Sequence, residues 1–237
     1  MAYYRDFSEL VLHTTKGKDY RIDIVDRSAA VTIAAIHGGG IEPLTSELAA
    51  AIAGQEHNLY DLRGLRPTGN EVLRVPVAAF DEMRLRGLLK RSRLALSVQG
   101  MEGAEAAIYV GGRNRRLRAL TVECLQAAGF AISKPSSPMP SHDPTLFFNT
   151  PADGGIQIEF TRGLRESMAG GSLACSCREE EAPQSDLFQR CVAAIRAALD
   201  QYHKEERGDL DAAMRRYEQA TREVLAALKD AGRGDLN

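Results

Sequence analysis

The apolar positions of this chain fall into two periods. Runs that alternate or are continuously apolar predict strands at Tyr20–Val25 (YRIDIV), 30–36 (AVTIAAI), 59–62, 94–98 (LALSV), 107–110, 130–133 and 156–160 (IQIEF). The run 30–36 is almost unbroken, the mark of a strand covered on both faces, as in a mostly parallel sheet. Helical spacing between these runs predicts helices at 46–53, 77–91 and 114–128. Thr45 or Ser46 is the expected N-cap of the first, Gly54 closes it, and Gly129 closes the third. Strands interleaved with helices predict an α/β fold, a three-layer sandwich around a central mixed sheet, occupying residues 1–170. Residues 171–185 combine small residues, an acidic triplet and Pro183, which predicts a loop. Residues 186–237 carry two helical segments, 186–202 and 209–231. The second sets Leu210, Met214, Tyr217, Val224, Leu225 and Leu228 on one side, a face expected to pack on the core or to make a homo-oligomer contact.

Composition narrows the function classes. Thirty basic and 32 acidic residues leave a net charge of -2, so no positive field points to nucleic acid. Aromatic residues are 6% of the chain and Trp is absent, which argues against a stacking platform for single strands. No apolar run approaches the roughly 18 residues of a membrane span. The first residues, MAYYRDFSELVLHTT, place charges where a secretory segment would be apolar. Four cysteines in 237 residues are too few for a disulfide scaffold, so reduced thiols and a cytoplasmic location are expected. Cys175 and Cys177 read as free loop thiols and Cys124 and Cys191 as core residues. His13 and His203 read as surface residues, and the basic run 113–118 (RNRRLR) as a solvated helix face.

The string Ile36-His37-Gly38-Gly39-Gly40-Ile41-Glu42-Pro43 carries the most chemistry. A buried strand ends in His37, three glycines let the backbone turn back, and Glu42 follows. Ligand sites of open α/β sheets favour this end of the strands. Imidazole and carboxylate are ordinary zinc ligands, so a metal site and a purely structural turn both remain open on spacing alone. Phosphate binding is disfavoured, because no Walker Lys-Ser/Thr and no GxGxxG spacing is present. On the late strand, Ile156, Ile158 and Phe160 share one face, and Gln157 and Glu159 share the other. Glu159 therefore sits at an exposed edge or faces a site, where it could act as a general base.

Taken in order, IHGGGIEPLTSELA, NLYDLRG with a later Asn, FDE, LSVQGMEG, IYVGG and GIQIEFTRGLR resemble the poly-γ-glutamate hydrolase family of phages and bacteria over residues 20–165. The resemblance implies a zinc-carboxypeptidase-like fold with one Zn²⁺, ligated by His37 and Glu42, and Glu159 as base. It implies hydrolysis of γ-glutamyl amide bonds in an acidic polymer or a small γ-glutamyl substrate. The family's third ligand is a His, and this chain has Gln99 there. A neutral amide oxygen is a poor Zn²⁺ ligand and suits Mn²⁺ or another hard divalent ion better. Arg74 likewise stands where the family segment carries His, a change expected to alter substrate contacts.

Three consequences of Gln99 follow. His57 or His142 completes a weak site, another metal is used, or the metal is lost and the chain becomes a non-catalytic binding protein. The hydrolase reading is preferred, because His37, Glu42 and Glu159 are all present. Arg63, Arg113 and Arg165 flank the motif strands and loops and are the candidate cations for substrate carboxylates, Arg113 foremost because it follows the YVGG turn.

Overall fold

The computed structural model describes residues 4–133, 141–171, 173 and 185–234, with side chains described as far as residue 223. It divides into two compact units, residues 1–198 and 199–237. In the first, six strands form one mixed sheet: β1 (Tyr20–Val25), β2 (Val31–Gly39), β3 (Asn58–Gly64), β4 (Leu94–Met101), β5 (Ile108–Gly112) and β6 (Gly155–Thr161). Their order is β1-β3-β2-β4-β6-β5. The four inner strands run parallel, and β1 and β5 are antiparallel edges. The predicted mixed sheet is therefore present. The run 130–133 is not one of its strands; Ile132 makes only an isolated bridge to Ile108.

Every residue of β2 is buried, as its continuous apolarity requires. Ala34 and Ile36 face a cluster built with Tyr60, Leu62, Leu73, Val75, Phe80 and Leu85. This cluster takes in α1 (Phe7–His13) and α3 (Met83–Arg91). The predicted helix 77–91 is broken. A 3₁₀ turn, Val77–Ala79, precedes α3, and Glu82 caps α3 by accepting the Leu85 N–H at 2.8 Å. On the opposite face lies α2 (Thr45–Ala53), which buries Leu48 and Ile52. Next to β5 is α4 (Arg115–Ala127), capped by Asn114. A short helix, α5 (Arg162–Met168), leaves β6 directly, with Thr161 as its cap.

The two predicted C-terminal helices are one continuous helix, α6 (Asp186–Gly234). Its first turns complete the core of the first unit: Phe188, Cys191 and Ile195 are fully buried. Arg196 Nη1 donates to Ile52 C=O on α2 at 3.0 Å, and Arg190 Nη1 to Ala128 C=O at 3.1 Å. The second unit is the remainder of α6, on which Leu210, Met214 and Tyr217 are exposed. Val224, Leu225 and Leu228, also expected on that stripe, have side chains outside the described residues, as do Cys175 and Cys177 altogether. Among the described residues no helix is long and apolar enough to cross a membrane.

Removing a fully buried Phe side chain costs about 3–5 kcal/mol through lost burial and the cavity left behind. Phe188→Ala should lower the unfolding free energy by about that amount in denaturant titration. A change near zero would mean that the start of α6 lies outside the cooperative core.

Candidate active site

The turn after β2 is shaped by its glycines. A Cβ on Gly38 would lie 2.1 Å from Asp61 Oδ1 and 2.2 Å from Ser46 Oγ, so no side chain fits. Gly39 has φ +59°, the left-handed region. Its N–H donates to Ser46 Oγ at 2.7 Å, and Ser46 donates to Asp61 Oδ1 at 2.8 Å. Just upstream, the β2–β3 register shifts between Ala35 and Gly38, a bulge that resets which way His37 points. The chain then folds back: Glu42 N–H donates to His37 C=O at 2.8 Å, and Thr45 Oγ1 donates to Glu42 C=O at 2.8 Å. Leu44 holds φ +79°, a strain of roughly 1–3 kcal/mol that these bonds on both sides sustain. Thr45 and Ser46 thus lie inside α2 rather than capping it, and their hydroxyls fasten the turn.

The result brings imidazole and carboxylate together under cover. His37 Nδ1 lies 3.1 Å from Glu42 Oε1, and both side chains are 3% exposed. His37 Nε2 is 2.8 Å from Val75 C=O, which can only accept, so Nε2 carries a proton. Nδ1 has no aligned hydrogen bond. Glu42 Oε2 accepts the Gly100 N–H from the end of β4 at 2.6 Å, and Oε1 is 2.6 Å from Arg74 Nη2. Burial pushes the Glu42 carboxyl up, but His37, Arg74 and the Gly100 N–H outweigh it and hold the group below the usual range.

Glu159 stands opposite Gln99 in the β4–β6 register. The Gln157 amide donates to it. Burial raises its carboxyl to about 7; the Gln157 bond lowers it, the Glu42 charge raises it, and Arg74 and His37 lower it. Gln99, its register partner, precedes Gly100, whose N–H reaches Glu42, so the two carboxylates belong to neighbouring strand ends. Beside them is a cavity of about 320 Å³ lined by Glu42, Glu71, Arg74, Glu102, Arg162 and Arg165.

The profile of the poly-γ-glutamate hydrolase family matches residues 4–194. The chain belongs to the poly-γ-glutamate hydrolase family. It is 34% identical over 170 residues to the UPF0714 protein YndL of Bacillus subtilis (strain 168), covering 70% of this chain and 67% of that protein. It is 30% identical over 168 residues to the SPbeta prophage-derived UPF0714 protein YoqZ of the same organism, covering 70% of this chain and 61% of the relative. Among solved structures, a bacteriophage poly-γ-glutamate hydrolase superposes with a TM-score of 0.80 at 26% identity, over 86% of this chain and 99% of that one. A structure described as zinc-free apo YndL superposes with a TM-score of 0.76 at 30% identity, over 84% and 98%. Family membership supports a hydrolase activity.

Within this family frame the candidate cations separate. Arg165 reaches the site, 2% exposed, but spends its donors on Phe160, Pro43 and Met101 C=O at 3.2, 2.7 and 3.3 Å. It pins the ends of β6, the turn and β4 together. Arg63 pairs with Glu47 at 3.0 Å, with Asp61 at 3.7 Å. Arg113 is not brought to the site. Because β5 is antiparallel, its last residue Gly112 pairs with Ile156 near the start of β6, and Arg113 lines a different cavity with Arg115, Arg118 and His142. His142 approaches Arg118 at 3.1 Å, and His57 precedes β3 at its amino end, so neither completes a metal site. Sequence reasoning missed Arg74 as the partner of Glu42. It also missed Asp61, whose signal was a charged residue inside an apolar strand.

The donor set does not fit the zinc that the family resemblance implies. His37 Nδ1 and Glu42 Oε1 are correctly close and Nδ1 is unengaged. Gln99, expected at the third place from the resemblance, has its amide donating to Ser97 Oγ at 2.8 Å. Glu42 Oε1 is already bound by a guanidinium, and Oε2 by a backbone N–H. Like unit charges about 4 Å apart repel by roughly 4 kcal/mol at an effective dielectric near 20, and a divalent ion doubles that. Among the described residues no group of three His, Cys, Asp or Glu could hold a metal ion.

Asp61 supplies a test of the turn. Burial raises its carboxyl to about 7, against the Arg63 charge and the Ser46 bond, which lower it. Its folded value thus exceeds its unfolded one, so it contributes stability that is full below pH 4 and lost as pH rises to about 7. Between these limits the wild type should lose about 1.4 kcal/mol per pH unit more than Asp61→Asn. Parallel stability–pH curves for the two proteins would contradict the assignment.

Proposed function

We propose that this chain hydrolyses γ-glutamyl amide bonds in poly-γ-glutamate or a related acidic substrate. The supporting observation is the meeting of His37 and Arg74 on one oxygen of Glu42 after β2, with Glu159 opposite Gln99 at the carboxyl end of β6 and a cavity with three arginines alongside. Substrate carboxylates enter next to Arg74 and Arg162, and buried Arg165 adds positive charge beneath them. Glu159, held by the Gln157 amide, takes a proton from the attacking water and returns it to the leaving amine. Arg74 faces the same point and polarises the scissile carbonyl, stabilising the developing oxyanion. Glu42 and His37 position Arg74: the first pairs with its guanidinium, and the second anchors Val75 next to it.

Zinc, the ion in the description of the YndL structure, is the family's expected cofactor, and manganese the alternative. This donor set favours neither, so no step above relies on one.

The test is incubation of the purified chain with poly-γ-glutamate, with and without zinc or manganese, following polymer length and newly formed amino groups. The expected outcome is shortening of the polymer, reduced by about 10²–10⁴-fold in Glu159→Gln. No cleavage under any metal condition, with the polymer retained on immobilised protein, would replace the hydrolase with a binding protein.

A further inference from the structure

We infer that Arg74 takes the place of a divalent cation, so that the centre carries its positive charge on the chain and works without metal. This rests on the site's reading as a hydrolase centre and specifies how its charge is supplied. One carboxylate oxygen, Glu42 Oε1, is 3.1 Å from His37 Nδ1 and 2.6 Å from Arg74 Nη2, so the guanidinium sits against the atom that would complete a metal pair with the imidazole. The other oxygen is closed by the Gly100 N–H at 2.6 Å.

Arg74 is not a loose surface charge. It follows the 3₁₀ turn Asn70–Leu73, lies between the fully buried Leu73 and Val75, and its side chain is 34% exposed. The His37 Nε2–Val75 C=O bond ties this segment to the imidazole itself. The guanidinium is therefore placed by the same contacts that place His37. Its Nε is buried with no hydrogen-bond partner. A buried donor in that state is spare capacity for a ligand. Arg74 and Arg162 line the adjoining cavity with buried Arg165, so the ligand class is a carboxylate or the oxyanion of an attacked amide.

Zinc and manganese binding to the chelator-treated full chain, measured by calorimetry, tests this without turnover. The wild type and Gln99→His should take up no stoichiometric metal, because the guanidinium remains. Arg74→Lys, which keeps the charge, should match the wild type. Arg74→Gln should tighten zinc binding by about tenfold or more, as a like charge is removed. The double variant Arg74→Gln/Gln99→His should take one equivalent, abolished by adding His37→Ala, which separates this site from stray thiols. One equivalent of zinc on the wild type, lost in His37→Ala, overturns the inference, as does Arg74→Gln with wild-type zinc affinity. If Arg74→Gln does not fold, the wild-type titration and its His37→Ala control still decide. Polymer cleavage that requires added metal would overturn this inference and leave the hydrolase reading intact. Absence of cleavage with no metal uptake would overturn the hydrolase reading, and with it the claim that the centre works without metal.

Discussion

A single buried anion organises this centre. Glu42 sits 3% exposed at the junction of three elements, and an ionised carboxylate in that position must have its lone pairs engaged. Its partners are a backbone N–H from the end of β4 and a guanidinium from the segment after β3, with the imidazole of β2 approaching to 3.1 Å. Removing any one would leave the charge buried and under-paired, a far larger loss than the pair itself contributes. The glycine turn, the bulge before it and the strained Leu44 are the backbone conditions for bringing that carboxylate back onto His37.

Strand direction decides which side chains share this point. The carboxyl ends of the parallel inner strands lie side by side, and β2 and β4 are neighbours between which the sheet order reverses. Glu42 bridges that crevice by reaching from the β2 turn to Gly100. Glu159 arrives because β6 is parallel to β4 and in register with it. Arg113 stays away because β5 is antiparallel, although its sequence position beside a glycine turn resembles that of His37.

That contrast marks what was legible beforehand. Periodicity located all six strands, and the rare string His37–Glu42 located the turn, because buried strands and three adjacent glycines leave few alternatives. Strand polarity at the sheet edge was not legible, since an apolar run such as 108–112 reads the same in either direction. The break before α3 was hidden for a related reason: residues 77–91 keep helical spacing, while the Glu82 side-chain cap starts a new helix inside it. Continuity of α6 was missed because polar residues 203–208 looked like a stop, yet a helix needs only that no residue forbids it. Arg74 was expected from the sequence to be a departure from the family pattern. Its role was not, because pairing with Glu42 depends on a contact 32 residues away, made only after both segments meet the sheet.

A guanidinium and a divalent ion are not equivalent in what they ask of their neighbours. A bound ion both polarises a carbonyl and acidifies a coordinated water, so the base beside it can be weak. Arg74 can do the first through charge-assisted hydrogen bonds but has no coordination site for water. In the proposed mechanism the whole task of deprotonation falls on Glu159, and a carboxyl lifted by burial to about 7 is a stronger base than an exposed one. Burial of Glu159 and fixation of Arg74 are therefore matched: the first raises the affinity for the proton, and the second keeps the oxyanion's counter-charge in place without a reorganising ligand shell. The same proposed pairing is compatible with Gln99 at the end of β4. With the charge carried by Arg74, that position needs a neutral side chain that does not add a second cation or compete for Glu42, and an amide bound to Ser97 meets both conditions.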